Sequence, residues 1–103
     1  MLEIQTIKEL CMDDSILMTQ HVARRCQERA IAYTDLINAI RHGEIIEQYP
    51  NDYPYPSCLI LGDGPLHIVV GVGQDKLWVI TAYRPSIEKW AADWKTRKAG
   101  ENV

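Results

Sequence analysis

The sequence predicts an α+β fold in which helices pack on a four-stranded antiparallel sheet. Apolar residues recur at helical spacing before Gly43 and again near the C-terminus, which is typical of amphipathic helices. Between these regions, short runs rich in β-branched residues are separated by Gly and Pro turns, which is typical of strands. The short turns imply that successive strands are antiparallel neighbours. The expected order is therefore N-terminal helices, then the sheet, then a C-terminal helix.

The length and composition indicate one globular domain. The 103 residues are 47% hydrophobic and 24% charged, which suits a single core. We expect one domain over residues 1–103 with its core at about residues 16–98. No apolar run approaches the roughly 20 residues that span a bilayer. Three cysteines without metal-site spacing indicate buried thiols in a cytoplasmic protein, so we expect no metal, no cofactor and no membrane association.

Two amphipathic helices are predicted at the start of the chain. The first covers residues 4–12. The second covers residues 16–29, with Ser15 as a candidate cap. Its apolar row, which would face the core, consists of Met18, Val22 and Cys26.

Two more helices are predicted on either side of the strands. One covers residues 35–42, with Thr34 as its N-cap and Gly43 just past its C-terminus. The other covers about residues 87–98 and follows Pro85, which breaks the preceding strand.

The predicted strands are bounded by turn residues and cover residues 44–49, 57–61, 66–72 and 77–83. Side chains alternate between the two faces of a strand. Alternation places His67 on the face opposite Ile68, and it places Tyr83 on the same face as Leu77 and Val79. A buried His67 requires a hydrogen-bonding partner.

His21, Arg25 and Arg29 form the most informative polar pattern in the chain. Residues four apart lie on one face of a helix, so these three make a single stripe. Arg offers a planar fork of donors to phosphate, and His can move a proton near neutral pH. The stripe therefore suits a phosphate or another anion. The alternative is a solvated helix face whose arginines form ion pairs with Glu28.

The charge distribution restricts the class of partner. The formal net charge is −3, which argues against a protein that coats long nucleic acid. Basic residues concentrate in segments 21–29 and 84–98, whereas residues 44–63 contain no Lys or Arg. A compact active site needs only such a local basic patch.

His67 and Tyr83 would complete an active site if the fold brought them to the stripe. Two imidazoles, two guanidinium groups and a phenol, without a metal, suit metal-independent RNA cleavage. One group deprotonates the 2′-hydroxyl, another protonates the leaving 5′-oxygen, and Arg stabilises the phosphorane. Each group that acts as a general acid or base accelerates the reaction by about 10²–10⁴-fold. A core histidine with satisfied hydrogen bonds and a tyrosine that only packs are the alternatives.

Several ordered motifs resemble the domain-of-unknown-function family numbered 4258. The resemblance covers roughly residues 18–95. Family members often have Met in place of Cys26 and Gly in place of Ala30. The motifs are H-x-x-x-R-x-x-E-R-x-I over residues 21–31, G-E-I-I-E-x-Y over 43–49, Y-P-S-C-L-I-L-G over 55–62, P-L-H-I-V-V over 65–70 and I-T-A-Y-x-P over 80–85.

This family is similar to the RelE-like and MqsR-like toxins of the barnase–EndoU–colicin–RelE fold group. The resemblance implies a bacterial mRNA-cleaving toxin of a toxin–antitoxin system, with a small zinc-finger antitoxin as partner and a homodimer as a further expectation. The acidic net charge is atypical of a ribosome-dependent toxin. Glu28 would be a general base or the group that orients an Arg. The implied catalytic residues are His21, His67, Tyr83 and Glu28, and the implied phosphate-binding residues are Arg25 and Arg29.

Two other functions stay open. A non-enzymatic interaction domain would bind a protein through the sheet edge or the proline-rich loop 49–56. A degenerate toxin fold would bind RNA without cutting it. The toxin hypothesis requires the helix stripe within about one hydrogen-bonded water of His67 or Tyr83 in a common cleft.

Overall fold

A computed structural model describes residues 1–12 and 16–98 as three helices and a five-stranded sheet. Within these residues, no helix has the length and apolar character needed to cross a membrane. The α+β class is as predicted. The elements are α1 (Ile4–Met12), β1 (Ile16–Met18), α2 (Gln20–Glu28), α3 (Tyr33–His42), β2 (Glu44–Tyr49), β3 (Ser57–Gly62), β4 (Leu66–Gly73) and β5 (Lys76–Tyr83).

The sheet has the strand order β1-β5-β4-β3-β2. Strands β2 to β5 form the predicted antiparallel meander. At the turn between β4 and β5, Gln74 and Asp75 both have positive φ (56° and 59°). Two central residues with positive φ define the hairpin turn whose twist matches that of the strands.

A fifth strand corrects the predicted count of four. Residues 16–18, expected to start a helix over 16–29, instead pair in parallel with Leu77–Val79 of β5. The helix begins only after Thr19, whose hydroxyl accepts a hydrogen bond from the Val22 amide at 3.2 Å. This is an ordinary N-cap hydrogen bond. The apolar residues Ile16–Met18, which precede the helix, instead pair with the sheet. The proposed cap Ser15 lies outside the described residues.

Helix α3 begins two residues earlier than predicted. The N-cap is Ala32 rather than Thr34, because the Asp35 carboxylate accepts a hydrogen bond from the Ala32 amide at 2.8 Å. Gly43 ends the helix as predicted, but its φ of −85° is not left-handed. Glycine is needed there for space, since a Cβ would lie 2.3 Å from the Ala39 carbonyl oxygen.

The predicted C-terminal helix over 87–98 is wrong. The segment 85–98, which we call the C-terminal cover, consists of turns and one isolated bridge between Trp90 and Arg97. The Asp93 carboxylate accepts hydrogen bonds from the amides of Lys95 and Thr96 at 2.9 and 3.0 Å. Such side-chain bonds to nearby amides compete with helix formation.

The three helices cover one face of the sheet and bury the main core there. The buried residues of this cluster come from all three helices and from β3, β4 and β5. All three cysteines are buried, as predicted. The central apolar members are Ile7, Leu36, Ile40, Ile60, Ile68, Val70 and Leu77.

A β-bulge in β5 decides which side chains reach the other face. Val69 pairs with Thr81 but Val70 pairs with Val79, so Ile80 is an extra residue in β5. An extra residue reverses the alternation beyond it. Leu77 and Val79 therefore point into the helix-covered core, whereas Tyr83 pairs with His67 on the opposite face. The prediction that Tyr83 shares a face with Val79 is wrong for this reason.

Substituting Gly43 should destabilise the fold by overpacking. In Gly43→Ala the new methyl group would lie 2.3 Å from the Ala39 carbonyl oxygen and 2.6 Å from the Leu61 carbonyl oxygen. Backbone atoms can move only slightly to relieve such contacts. We expect a loss of about 1–3 kcal/mol in the free energy of unfolding, measured by urea denaturation. Gly71→Ala is the control, because its nearest contact is the flexible Ile80 side-chain tip at 3.3 Å. Equal stability losses in both variants would contradict this account.

Candidate active site along strand β5

Strand β5 is open at its C-terminal half. The short strand β1 pairs only with Leu77–Val79, and helix α2 packs beside the remainder of β5. Because Val22 and Cys26 of α2 point into the core, the next row of α2 side chains lies along this open edge. The stripe is therefore placed against β5 by the burial of its neighbours.

His21, Arg25 and Arg29 line one pocket of about 310 Å³ together with Ile80 and Thr81. All three stripe side chains belong to exposed residues, so an anion can reach them from solvent. The helical spacing predicted this shared face. We call this the stripe pocket.

Arg29 also has a structural role. Its Nη1 donates a hydrogen bond to the Ala82 carbonyl oxygen at 2.8 Å, which satisfies a carbonyl on the open edge of β5. Arg84 donates in turn to the carbonyl oxygens of Arg29 and Ala30, at 2.7 and 3.1 Å. The two arginines therefore fasten the end of α2 to the end of β5.

Glu28 stands apart from the stripe pocket. Its carboxylate lies 3.8 Å from Arg25, with both side chains more than half exposed. Such a pair contributes little stability, and Glu28 does not line the stripe pocket. Neither predicted role of Glu28, general base or group that orients an Arg, is tested by this contact.

His67 is fully buried on the second face of the sheet, and its two nitrogens are both engaged. Nε2 lies 2.8 Å from the Trp94 carbonyl oxygen, and Nδ1 lies 3.3 Å from the Tyr83 hydroxyl. A carbonyl oxygen can only accept, so Nε2 carries the proton and Nδ1 accepts from Tyr83. Burial lowers the pKa of His67, with the Trp94 carbonyl opposing that shift, which favours the neutral ring.

Tyr83 lines a second pocket, of about 360 Å³, with Arg84, Lys89 and Arg97. Burial raises the pKa of Tyr83, so its phenol keeps its proton at neutral pH. Because that proton is directed to His67 Nδ1, the oxygen lone pairs are left for other groups. We call this second space the tyrosine pocket.

The C-terminal cover encloses His67 through a charged clamp, which consists of Arg97, Glu47 and Trp90 and was not predicted from the sequence. Arg97 donates two hydrogen bonds to Glu47, both at 2.9 Å, and its guanidinium carbon lies 4.6 Å from the centroid of the Trp90 ring. Trp90 contacts the His67 ring edge-on, with centroids 4.5 Å apart. In the sequence, the only indication of this clamp is Glu47, a charged residue inside the predicted strand E-I-I-E-Q-Y.

The clamp also sets the ionisation of its own members. Hydrogen bonding from Arg97 holds the pKa of Glu47 below its usual range. Tyr49 donates to Glu47, and burial raises the pKa of Tyr49 to about 12. Glu47 is therefore ionised at neutral pH, and its negative charge opposes the lowering of the His67 pKa by burial.

The predicted residues thus gather at two places rather than one. The stripe pocket holds His21, Arg25 and Arg29, and the tyrosine pocket holds Tyr83 backed by His67. Among the described residues, no hydrogen bond joins the stripe side chains to His67 or Tyr83. Thr81 and Tyr83 lie two residues apart on β5, about 7 Å along the strand, but the two pockets share no lining residue. The common cleft that the toxin hypothesis required is therefore not formed by these side chains.

The sequence profile described as "Domain of unknown function (DUF4258)" matches residues 18–84, well over half of the chain. The chain belongs to the DUF4258 family. The matched segment of the DUF4258 domain contains α2, α3, β2 to β5, the stripe and the His67–Tyr83 pair, and it ends before the C-terminal cover. No curated protein and no solved structure matches the chain.

The buried His67 should make the stability of this DUF4258 domain pH-dependent. Its pKa is lowered in the folded state, so below an ordinary value of about 6.5 the unfolded chain binds more protons. The stabilising contribution is complete above that pH and is lost as pH falls toward the folded pKa. The advantage of the parent over His67→Gln in free energy of unfolding should shrink from pH 7 to 5, by at most about 1.4 kcal/mol per pH unit.

Urea unfolding at each pH, followed by tryptophan fluorescence, measures this change. His42→Gln is the matched control, because His42 is exposed in the last turn of α3, and its pH profile should follow the parent. A parent advantage that grows on acidification would show that folded His67 is charged.

Proposed function

We propose that this protein is a metal-independent endoribonuclease that binds single-stranded RNA along strand β5. The observation that carries the proposal is the position of the Tyr83 hydroxyl. This hydroxyl donates a hydrogen bond to the buried His67, whose tautomer is fixed. Tyr83 also lines a pocket together with two arginines. The neighbouring stripe pocket supplies further cations and an exposed imidazole. Together they offer a proton relay, phosphate ligands and a second acid–base group.

The arrangement suits cleavage through the 2′-hydroxyl of the RNA. The 2′-oxygen attacks phosphorus and its proton passes to Tyr83, while the Tyr83 proton moves to His67 Nδ1. The bond from phosphorus to the 5′-oxygen breaks, and the His21 imidazole donates a proton to that oxygen. The products are a 2′,3′-cyclic phosphate and a 5′-hydroxyl end. Negative charge on the phosphorane is stabilised by the stripe arginines and Arg84.

Glu47 of the charged clamp provides the counter-charge for this proton transfer. A protonated His67 would be buried, which is costly without a counter-charge. Burial lowers the pKa of His67 and Arg97 adds to that shift, whereas Glu47, which Arg97 holds ionised, opposes it. The Trp94 carbonyl fixes the orientation of the ring. His67 therefore acts through Tyr83 and does not need to touch the RNA.

A cytoplasmic toxin with a protein antitoxin is part of the same proposal, and RNA is its substrate class. The homodimer and the zinc-finger character of the antitoxin stay predictions. The rival function, RNA binding without cleavage, is supported by the structural use of Arg29 and by the burial of His67. The rival and the proposal differ in a single measurable property, the cleavage of RNA by the purified protein.

Removing the Tyr83 hydroxyl should strongly reduce the rate of RNA cleavage while RNA binding persists. Tyr83→Phe keeps the ring that packs at 5.3 Å from His67 but removes the proton relay, so we expect cleavage to fall about 10²–10⁴-fold. Single-turnover cleavage of a broad RNA panel, with detection of cyclic phosphate ends, measures the loss. Tyr33→Phe is the control, because Tyr33 is exposed on α3.

Three outcomes separate the possibilities. A cleaving parent and an inactive Tyr83→Phe support the relay. Full activity in Tyr83→Phe refutes the relay, and binding without cleavage by the parent identifies the rival function.

The stripe should contribute a measurable share of the salt dependence of RNA binding. Arg25 lines the stripe pocket, whereas its neighbour Arg24 lies on the same helix and does not. In Arg25→Ala, the slope of log affinity against log salt for a 2′-O-methyl RNA should decrease by about 0.7, the value for one lost phosphate contact. Arg24→Ala should keep the parent slope. If the two variants had equal slopes, the stripe would not be part of the RNA-binding surface.

A further inference from the structure

A third pocket lies along β5 beyond the stripe pocket and is almost entirely apolar. It has a volume of about 460 Å³ and is lined by side chains of Tyr55, Trp78 and Ile80 and by the start of α2. Ile80 is 43% exposed although it is a large aliphatic residue on a strand. The function proposed above has no use for this pocket, which we call the apolar pocket.

The wall of the apolar pocket is a fixed aromatic surface. The rings of Tyr55 and Trp78 stack with centroids 6.0 Å apart and planes 26° from parallel. Trp78 Nε1 donates to the Gly73 carbonyl oxygen at 3.2 Å, which fixes the indole. Tyr55 lies directly against the Gly73 backbone, since a Cβ there would fall 2.2 Å from the Tyr55 ring.

The floor of the apolar pocket contains Gly71, which has no side chain. Gly71 pairs with Trp78 on the same face of the sheet and lines the pocket. A Cβ at Gly71 would lie 3.3 Å from the tip of the Ile80 side chain, so Ile80 covers part of this floor. A flat group in the pocket would therefore contact Ile80 beside the aromatic wall.

The apolar pocket and the stripe pocket share two lining residues, Val22 and Ile80. One pocket offers apolar and aromatic surface, and the other offers two guanidinium groups and an imidazole. A nucleotide has the same two parts, an aromatic base and an anionic phosphate joined at short range. Bases of single-stranded RNA are commonly bound by stacking on aromatic side chains beside a cationic groove.

We propose that the apolar pocket binds an unpaired nucleobase of the RNA whose phosphate occupies the stripe pocket. This inference rests on the proposed function and names its base subsite. Along β5 the order is then base at Trp78–Ile80, phosphate at Thr81 and proton relay at Tyr83.

The subsite should tolerate different bases. The indole N–H is already used by Gly73, and the Thr19 hydroxyl oxygen already accepts from the Val22 amide. Few polar groups are left to read the edge of a base, so stacking dominates. Affinity should therefore depend on the presence of a base more than on its identity.

The test compares two probes of equal length and charge, a short single-stranded 2′-O-methyl oligoribonucleotide and its abasic counterpart. Neither can be cleaved through a 2′-hydroxyl. By fluorescence anisotropy the parent should bind the base-containing probe about 5- to 100-fold more tightly than the abasic probe. Tyr55→Ala should reduce this ratio to near one while keeping the affinity for the abasic probe.

The matched control is Tyr53→Ala, two residues away in the same loop, because Tyr53 is 95% exposed and does not line the pocket. It should keep the parent ratio, as should Tyr55→Phe, which retains the ring. Gly73→Ala forces the Tyr55 ring away and should lower the ratio as Tyr55→Ala does. Quenching of Trp78 fluorescence by the base-containing probe, lost in Trp78→Phe, gives a second measurement in an otherwise intact chain.

The outcomes separate this inference from the proposed function. If the parent binds both probes equally, or if Tyr55→Ala keeps the parent ratio, the apolar pocket does not hold a base. In that case RNA binding by the stripe still stands, and a protein partner becomes the occupant to seek. If the parent binds neither probe, the proposed function fails and this inference fails with it.

Discussion

The β-bulge at Ile80 is the constraint on which the candidate site depends. One extra residue in β5 leaves Leu77 and Val79 in the helix-covered core and turns Tyr83 to the other face, opposite His67. Without it, the alternation of the strand would carry the Tyr83 phenol into the apolar core. The same bulge leaves Ile80 exposed between the apolar pocket and the stripe pocket. Bulges commonly re-aim side chains next to active sites.

The second face of the sheet is closed by hydrogen bonds and ion pairs in place of a packed helix. Trp94 supplies a carbonyl to His67, Glu47 holds Arg97, and Lys95 pairs with Glu44. Trp90 fills the space beneath these polar contacts. A cover of this kind buries His67 while the Tyr83 hydroxyl stays at a pocket wall. Stability and the proposed proton relay therefore depend on the same few contacts.

The acidic net charge is compatible with an anionic ligand because the cations are gathered along one strand. The stripe, Arg84 and Lys89 line pockets along β5, whereas Arg97 of the tyrosine pocket is paired with Glu47 of β2. Local potential rather than net charge governs a compact site. RNA binding here would accordingly be confined to a few phosphates, with the modest salt dependence that a small number implies.

The sequence by itself determined the helix and strand types, the turns between β2 and β5, the shared face of the stripe and the family. These features follow from local spacing, which acts within a few residues. Only the tertiary structure decided that residues 16–18 form a strand, that 85–98 is not a helix, and that Tyr83 meets His67. Each of these depends on a partner distant in the chain: Leu77–Val79 for β1, the sheet face for the C-terminal cover, and β4 for the bulge. Pairing and burial across the fold override local propensity at such places.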